Sequence, residues 1–212
     1  MILQAIQWAI AQDADIICMC FSLDKRSMVV GEAVRKAALK DIIMFASTGD
    51  KGYNVRESWP ARFEEVWGIA ACTAEGSKTT YAAHDDVAFA FQGEGISVNL
   101  NLEDSVHHNN GHSRSEKVEG SSVATAIASG IASLILATRR LIVAYKGVPA
   151  ELEKASVGHR RECVRELLNR MMDGNQETKY VKPWTVLETT GTEAEDFIED
   201  LDRKLLNYAN VR

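Results

Sequence analysis

An α/β fold, built on a mostly parallel sheet with helices on its faces, is predicted by two features of the 212-residue sequence. Helical-period patches alternate with short β-rich runs, the order in which crossover helices join parallel strands. The β-rich runs are also nearly continuously apolar rather than alternating, as in residues 15–21 (DIICMCF), which is how strands buried on both faces read. A composition of 46% apolar and 25% charged residues suits one globular domain and sets aside disordered, collagen-like and coiled-coil classes.

The elements follow in order. Residues 2–12 carry Ile2, Ala5, Ile6, Ala9 and Ile10 at helical spacing, and the first strand runs over 15–21. A second amphipathic helix spans 29–40 and ends at Lys40 and Asp41; strands are then predicted over 42–46, 66–72 and 87–91, with a loop between the second and third. Residues 99–119 turn polar around His107, His108 and His112, so they read as a surface loop or hairpin. From Gly120 to Leu136 the chain is small or apolar almost all round, which describes a central helix buried on most sides.

Residues 157–173 place Cys163, Val164, Leu167, Leu168, Met171 and Met172 on one helical face. His159, Arg160, Arg161, Arg165 and Arg170 fall elsewhere and read as a solvated basic face. In the tail Thr192 and Glu195 fit a capping box, and Phe197, Ile198, Leu201, Leu205 and Tyr208 then share a face. Residues 187–212 are accordingly expected to be an acidic helical tail docked on a domain formed by residues 1–186.

Thirty acidic against 24 basic side chains give a net charge of -6, which argues against nucleic-acid binding through a basic surface. The longest apolar stretch, at 131–138, is broken by small polar residues on its approach and stopped by Arg139 and Arg140, so no membrane span is expected. Residues 1–8 have no basic start and no small-residue cleavage site after an apolar core, and are not read as a signal peptide. Four cysteines are present without a CxxC spacing. Cys18 and Cys20 lie in the first apolar run, where successive residues point to opposite faces of a strand, and they are not expected to bridge each other easily; all four are expected to be buried, reduced thiols, with a metal or redox role as the alternative.

Four segments in order, covering most of residues 5–140, resemble the subtilisin-like serine peptidases, the subtilase family. Residues 5–22 resemble the helix and strand that lead to the family's substrate-binding edge. Residues 45–52 are similar to the loop that carries its oxyanion-hole asparagine. Residues 59–72, which open Trp59, Pro60, Ala61, resemble its tyrosine-proline-alanine entry into the next strand, and 87–93 its following strand. Gly120, Ser121, Ser122, Val123 and Ala124 look like the nucleophile motif glycine-threonine-serine-methionine-alanine.

The resemblance implies a three-layer α/β fold, incomplete at its N-terminal side, and the activity of a serine endopeptidase working by acyl transfer. It makes Ser122 the nucleophile and Asp50 the oxyanion-hole position, where most of the family has asparagine. A serine at the start of a buried helix, behind a glycine, suits that role physically, because the helix terminus favours developing negative charge. The resemblance also implies substrate-binding edges at Cys20, Phe21 and Ser22 and at Ser47, Thr48 and Gly49, where a peptide adds as a strand.

No stretch resembles the family's aspartate or histidine segments, which come first in the order Asp, His, Ser. A peptide or protein substrate is therefore expected together with a missing N-terminal half of the catalytic domain as partner, and an apolar strand edge left uncovered beside residues 15–21. A substitute base from His107, His108 or His112 is the lesser expectation. No cofactor or metal is expected, since the Asn-Asn-Gly between His108 and His112 argues against a helix that would align them. The alternative reading is a catalytically inactive relative that binds peptides or partners.

Overall fold

The computed structural model describes residues 1–50, 52, 58–81, 87–100, 114–147, 159–173 and 177–187. Strands β1 (Ile16–Met19), β2 (Ile43–Ser47), β3 (Trp67–Cys72) and β4 (Phe89–Gln92) form one sheet in the order β1-β2-β3-β4, parallel at every junction. Helix α1 (Ile2–Ala11) precedes β1, and α2 (Met28–Leu39) crosses from β1 to β2. Beyond β4 an antiparallel pair, β5 (Ile96–Leu100) and β6 (Arg114–Val118), leads into α3 (Ser121–Tyr145); α4 (Arg160–Arg170) and the short α5 (Trp184–Leu187) follow.

The continuous apolar runs are explained by two cores, one on each face of the sheet. Ile43, Phe45, Trp67, Ile69, Phe89 and Phe91 pack against Ala124, Ala128, Ala132 and Ile135 of α3 and Val164 and Leu168 of α4. The residues between them, Ile42, Met44 and Ala46, pack with Met19 against Ile6 of α1 and Val30, Val34 and Ala37 of α2. Over β3 and β4 that second face is closed by Tyr180, packed with Ala70, Cys72 and Ala90. The result is three layers, with α1 and α2 on one side and α3 and α4 on the other. Among the described residues β1 pairs with β2 alone, so one of its edges carries no described strand.

Several expectations are corrected. The central helix, expected over 120–136, runs on to Tyr145, and within that extension Arg140 reaches Asp15 with Nη2 at 2.6 Å from Oδ2. By length and composition alone α3 is apolar enough to cross a membrane; here it packs along β1, β2, β3 and β4. The basic residues of α4 are not simply solvated. Arg160 is buried and bonded to Asp15, Asp41 and the Lys40 carbonyl. Arg161 donates to the Ile42 and Glu65 carbonyls and, like Arg165, lies over the Trp67 ring.

The cysteines are corrected too. Cys72 is buried and Cys163 partly so, but Cys18 and Cys20 are exposed, since they sit on the edge strand and just past its end. The two described ends of the polar stretch pair as antiparallel strands, with β5 beginning earlier than expected, at Ile96. His107, His108 and His112 lie outside the described residues, as does the tail apart from Leu187.

Candidate functional site

Parallel strands bring all their C-terminal ends to one edge of the sheet, and α3 begins there. After β4 the chain passes through Gly93, and Gly120 returns to it, its N–H donating to the Gly93 carbonyl at 2.7 Å. A Cβ on Gly93 would lie 2.7 Å from the Ala71 Cβ and 2.8 Å from the Gly120 oxygen, so only glycine permits this crossing. Gly120 itself is at φ 125°, in the region that favours glycine, and turns the chain into the helix.

Ser121 and Ser122, the first two residues of α3, point different ways. Ser121 is fully buried, and its Oγ lies 2.6 Å from that of Ser47 at the end of β2. Its backbone N–H donates to Asp50 Oδ1 at 2.9 Å. Ser122 is half-buried, and its hydroxyl donates to the Cys20 carbonyl at 3.3 Å, just past the end of β1. The first N–H groups of a helix have no intrahelical acceptor. Asp50 takes one of them, and the Ser122 N–H follows it in the same turn.

The two edges expected to bind substrate do flank this helix start. Ser47 is the buried end of β2: it accepts the Gly49 N–H with its hydroxyl and the Ser58 hydroxyl with its carbonyl. Thr48 is buried, and both its N–H and its hydroxyl are bonded to the Ile69 carbonyl of β3. Gly49 faces the opposite edge, where an added Cβ would come within 3.3 Å of Ser22 Oγ. Phe21 is half-buried against the core beneath α1 and α2. Leu23 continues that edge, exchanging two backbone hydrogen bonds with Trp59.

Sequence reasoning named Ser47, Ser121 and Cys18 but missed their contacts: the hydroxyl pair Ser47–Ser121 and the sulfur pair Cys18–Cys20. The Ser121 contact could have been found from its place at the first position of a buried helix, where a hydroxyl needs a partner. Cys18 and Cys20 have Sγ atoms 3.4 Å apart; the Cys20 thiol also donates to the Ser122 carbonyl at 3.3 Å. Partial burial, followed by the hydrogen bond and charge of Cys18, pushes the Cys20 thiol up to about 11.

Among the described residues no imidazole stands beside Ser122. His159 begins α4, and the next residue, Arg160, is tied to Asp15 and Asp41, at the opposite edge of the sheet. No cluster of three metal-ligating side chains occurs among the described residues either.

A family model described as the subtilase family matches residues 1–167. The minor extracellular protease Epr of Bacillus subtilis (strain 168) is 27% identical over 96 residues, which are 45% of this chain and 15% of that protein. The subtilisin-like protease het-Q2 of Podospora anserina is 30% identical over 142 residues, 63% of this chain and 37% of that protein. Among solved structures, the prenylagaramide maturation protease PagA superposes with a TM-score of 0.63 at 16% identity, over 94% of this chain and 66% of that one. The PatG macrocyclase in complex with peptide gives 0.62 at 16%, over 96% and 55%. At these identities the structural likeness is one of fold, and the chain spans less than two thirds of the length of each of these relatives.

Proposed function

Because the chain belongs to the subtilase family, we propose that it is the nucleophile-bearing part of a subtilisin-like serine endopeptidase, with Ser122 as the attacking hydroxyl. The observation that carries this reading is the placement of Ser122 Oγ, half-buried at the first turn of α3, on the edge where β1 and β2 end. In the proposed reaction Oγ attacks the scissile carbonyl, a histidine takes the hydroxyl proton and returns it to the leaving amine, and an aspartate orients that histidine. The developing oxyanion sits at the helix start, against the Ser122 N–H.

The histidine and aspartate are assigned to a segment outside residues 1–212, which adds beside the open edge of β1. A serine without its base is nearly inert, so residues 1–212 alone are expected to hydrolyse little or no peptide. Peptide turnover is to be measured for the protein as isolated from its own cells, with intact mass recorded. The proposal expects a mass well above 23.4 kDa, or a second chain. Ser122→Ala should lower turnover by about 10⁶-fold, the loss known for subtilisin, of this same family. Turnover by residues 1–212 alone that disappears in Ser122→Ala would overturn the assignment of the missing partners.

One observation favours the second reading, a non-catalytic peptide-binding protein. Asp50 stands where the family's amide donor is expected, and it already accepts a hydrogen bond from α3. A native protein of 23.4 kDa without a partner chain, binding peptides but not cleaving them, would establish that reading instead.

A further inference from the structure

Cys18 and Cys20 have no part in acyl transfer, yet they are built into the same edge. Residues i and i+2 of an extended segment share a face, which sets the two sulfurs side by side at 3.4 Å, both exposed. Each also reaches α3: Cys20 Sγ donates to the Ser122 carbonyl at 3.3 Å, and Cys18 Sγ to that of Thr125 at 3.8 Å. The other two cysteines have no such neighbour in view. Cys72 is buried, and burial followed by the nearby Asp173 charge pushes its thiol up to about 12. Cys163 is partly buried and is raised chiefly for the same reason.

We infer that Cys18 and Cys20 are a redox modification site, a paired thiol that closes to an intramolecular disulfide by exchange with a small-molecule disulfide such as oxidised glutathione. One cysteine thiolate attacks a glutathione sulfur, forming a mixed disulfide and releasing one glutathione thiolate. The second cysteine gives up its proton and attacks the bonded protein sulfur, and the second glutathione leaves as a thiolate. Two protein thiols are thereby oxidised by two electrons, and one glutathione disulfide is reduced to two thiols. Contact between the sulfurs gives the second step the advantage of an intramolecular reaction over capture by further glutathione.

Closure draws the sulfurs from contact to bonding distance, about 2.05 Å. It removes the S–H donor from the Ser122 carbonyl and shifts Cys20, whose own carbonyl holds the Ser122 hydroxyl. An exposed bond across so short a span belongs with the readily reduced disulfides rather than the structural ones. Any effect on turnover rests on the peptidase reading. The chemistry of the pair does not.

The test is intact-mass analysis of the native protein after exposure to oxidised glutathione, followed by peptide mapping without reduction. The expected product has lost two hydrogens, carries no glutathione, and holds its disulfide within the peptide containing residues 18 and 20; dithiothreitol returns it to the starting mass. Cys18→Ser and Cys20→Ser should each retain one glutathione, because the resolving thiol is gone. Wild-type protein that keeps glutathione as the single variants do, or whose Cys18 and Cys20 stay reduced, would overturn the inference. These readouts are independent of hydrolysis, so a chain that cleaves nothing would still close the pair.

Discussion

Asp50 caps helix α3: its Oδ1 accepts the backbone N–H of Ser121 at 2.9 Å, while a Cβ on Gly120 would lie 2.9 Å from its Oδ2. The residue proposed for the oxyanion position therefore faces the start of α3 as an acceptor. An ionised carboxylate has no proton to give, and a second negative charge forming beside it is disfavoured.

Asp50→Asn keeps an oxygen for the Ser121 N–H and adds an N–H₂ donor of nearly the same shape. In the native-length protein this change is expected to raise peptide turnover by about 10²-fold. That is the lower end of the effect known for the corresponding amide in subtilisin, from this family. Steady-state kinetics of the two forms, with KM little changed, checks it. Equal or lower turnover would overturn the reading that an amide donor is wanted at position 50.

Gly120→Ala should destabilise the fold by about 1–3 kcal/mol, since φ 125° strains any side chain and the new methyl meets a carboxylate oxygen. Urea unfolding should show a lower midpoint at unchanged slope. An unshifted midpoint would show that the turn relaxes.

Ser47→Ala removes a hydroxyl that serves both Ser121 Oγ, at 2.6 Å, and the Gly49 N–H, at 3.2 Å. Ser121 is wholly buried, so its hydroxyl loses a partner that water cannot replace. The expected cost is about 1–3 kcal/mol. Thermal unfolding followed by circular dichroism measures it.

Asp15 ties stability to acid. Burial alone would raise its carboxyl, but hydrogen bonds from Arg140 and Arg160, with their charges, outweigh burial and leave it below the ordinary carboxylate range. A group lowered on folding contributes stability above its unfolded value, and that contribution is lost as pH falls through the lowered one. Wild type should thus lose stability on acidification from the ordinary carboxylate range downward. Asp15→Asn should be less stable near neutrality by about 1.5 kcal/mol, the modest figure suiting a partly exposed carboxylate, with a shallower acid limb. Denaturant midpoints across that pH range distinguish the two curves.

The sheet was legible because its strands are buried on both faces, so Ile42, Ile43, Met44 and Phe45 read as one apolar run whichever core each one enters. The place of Ser122 at the start of a buried helix was legible through the long run of small residues that follows it. The supports around it were not. A serine that meets a partner 74 positions away, as Ser47 meets Ser121, looks locally like any loop serine. Arg160 read as solvated because its acidic partners, Asp15 and Asp41, lie 145 and 119 positions earlier in the chain. Cys18 and Cys20 were misjudged because an apolar run shows that a strand exists but not that it lies at the edge of its sheet.

Helix α3 joins the two rims of the sheet as a single rod. Its first turn presents Ser122 at one rim, and Arg140, 18 residues on, grips Asp15 at the other. At 1.5 Å per residue these positions are about 27 Å apart along the axis. One residue inserted anywhere between them would advance Arg140 by about 1.5 Å and swing it through about 100°. α3 is therefore a fixed gauge, in which side chains can be exchanged but the number of residues cannot.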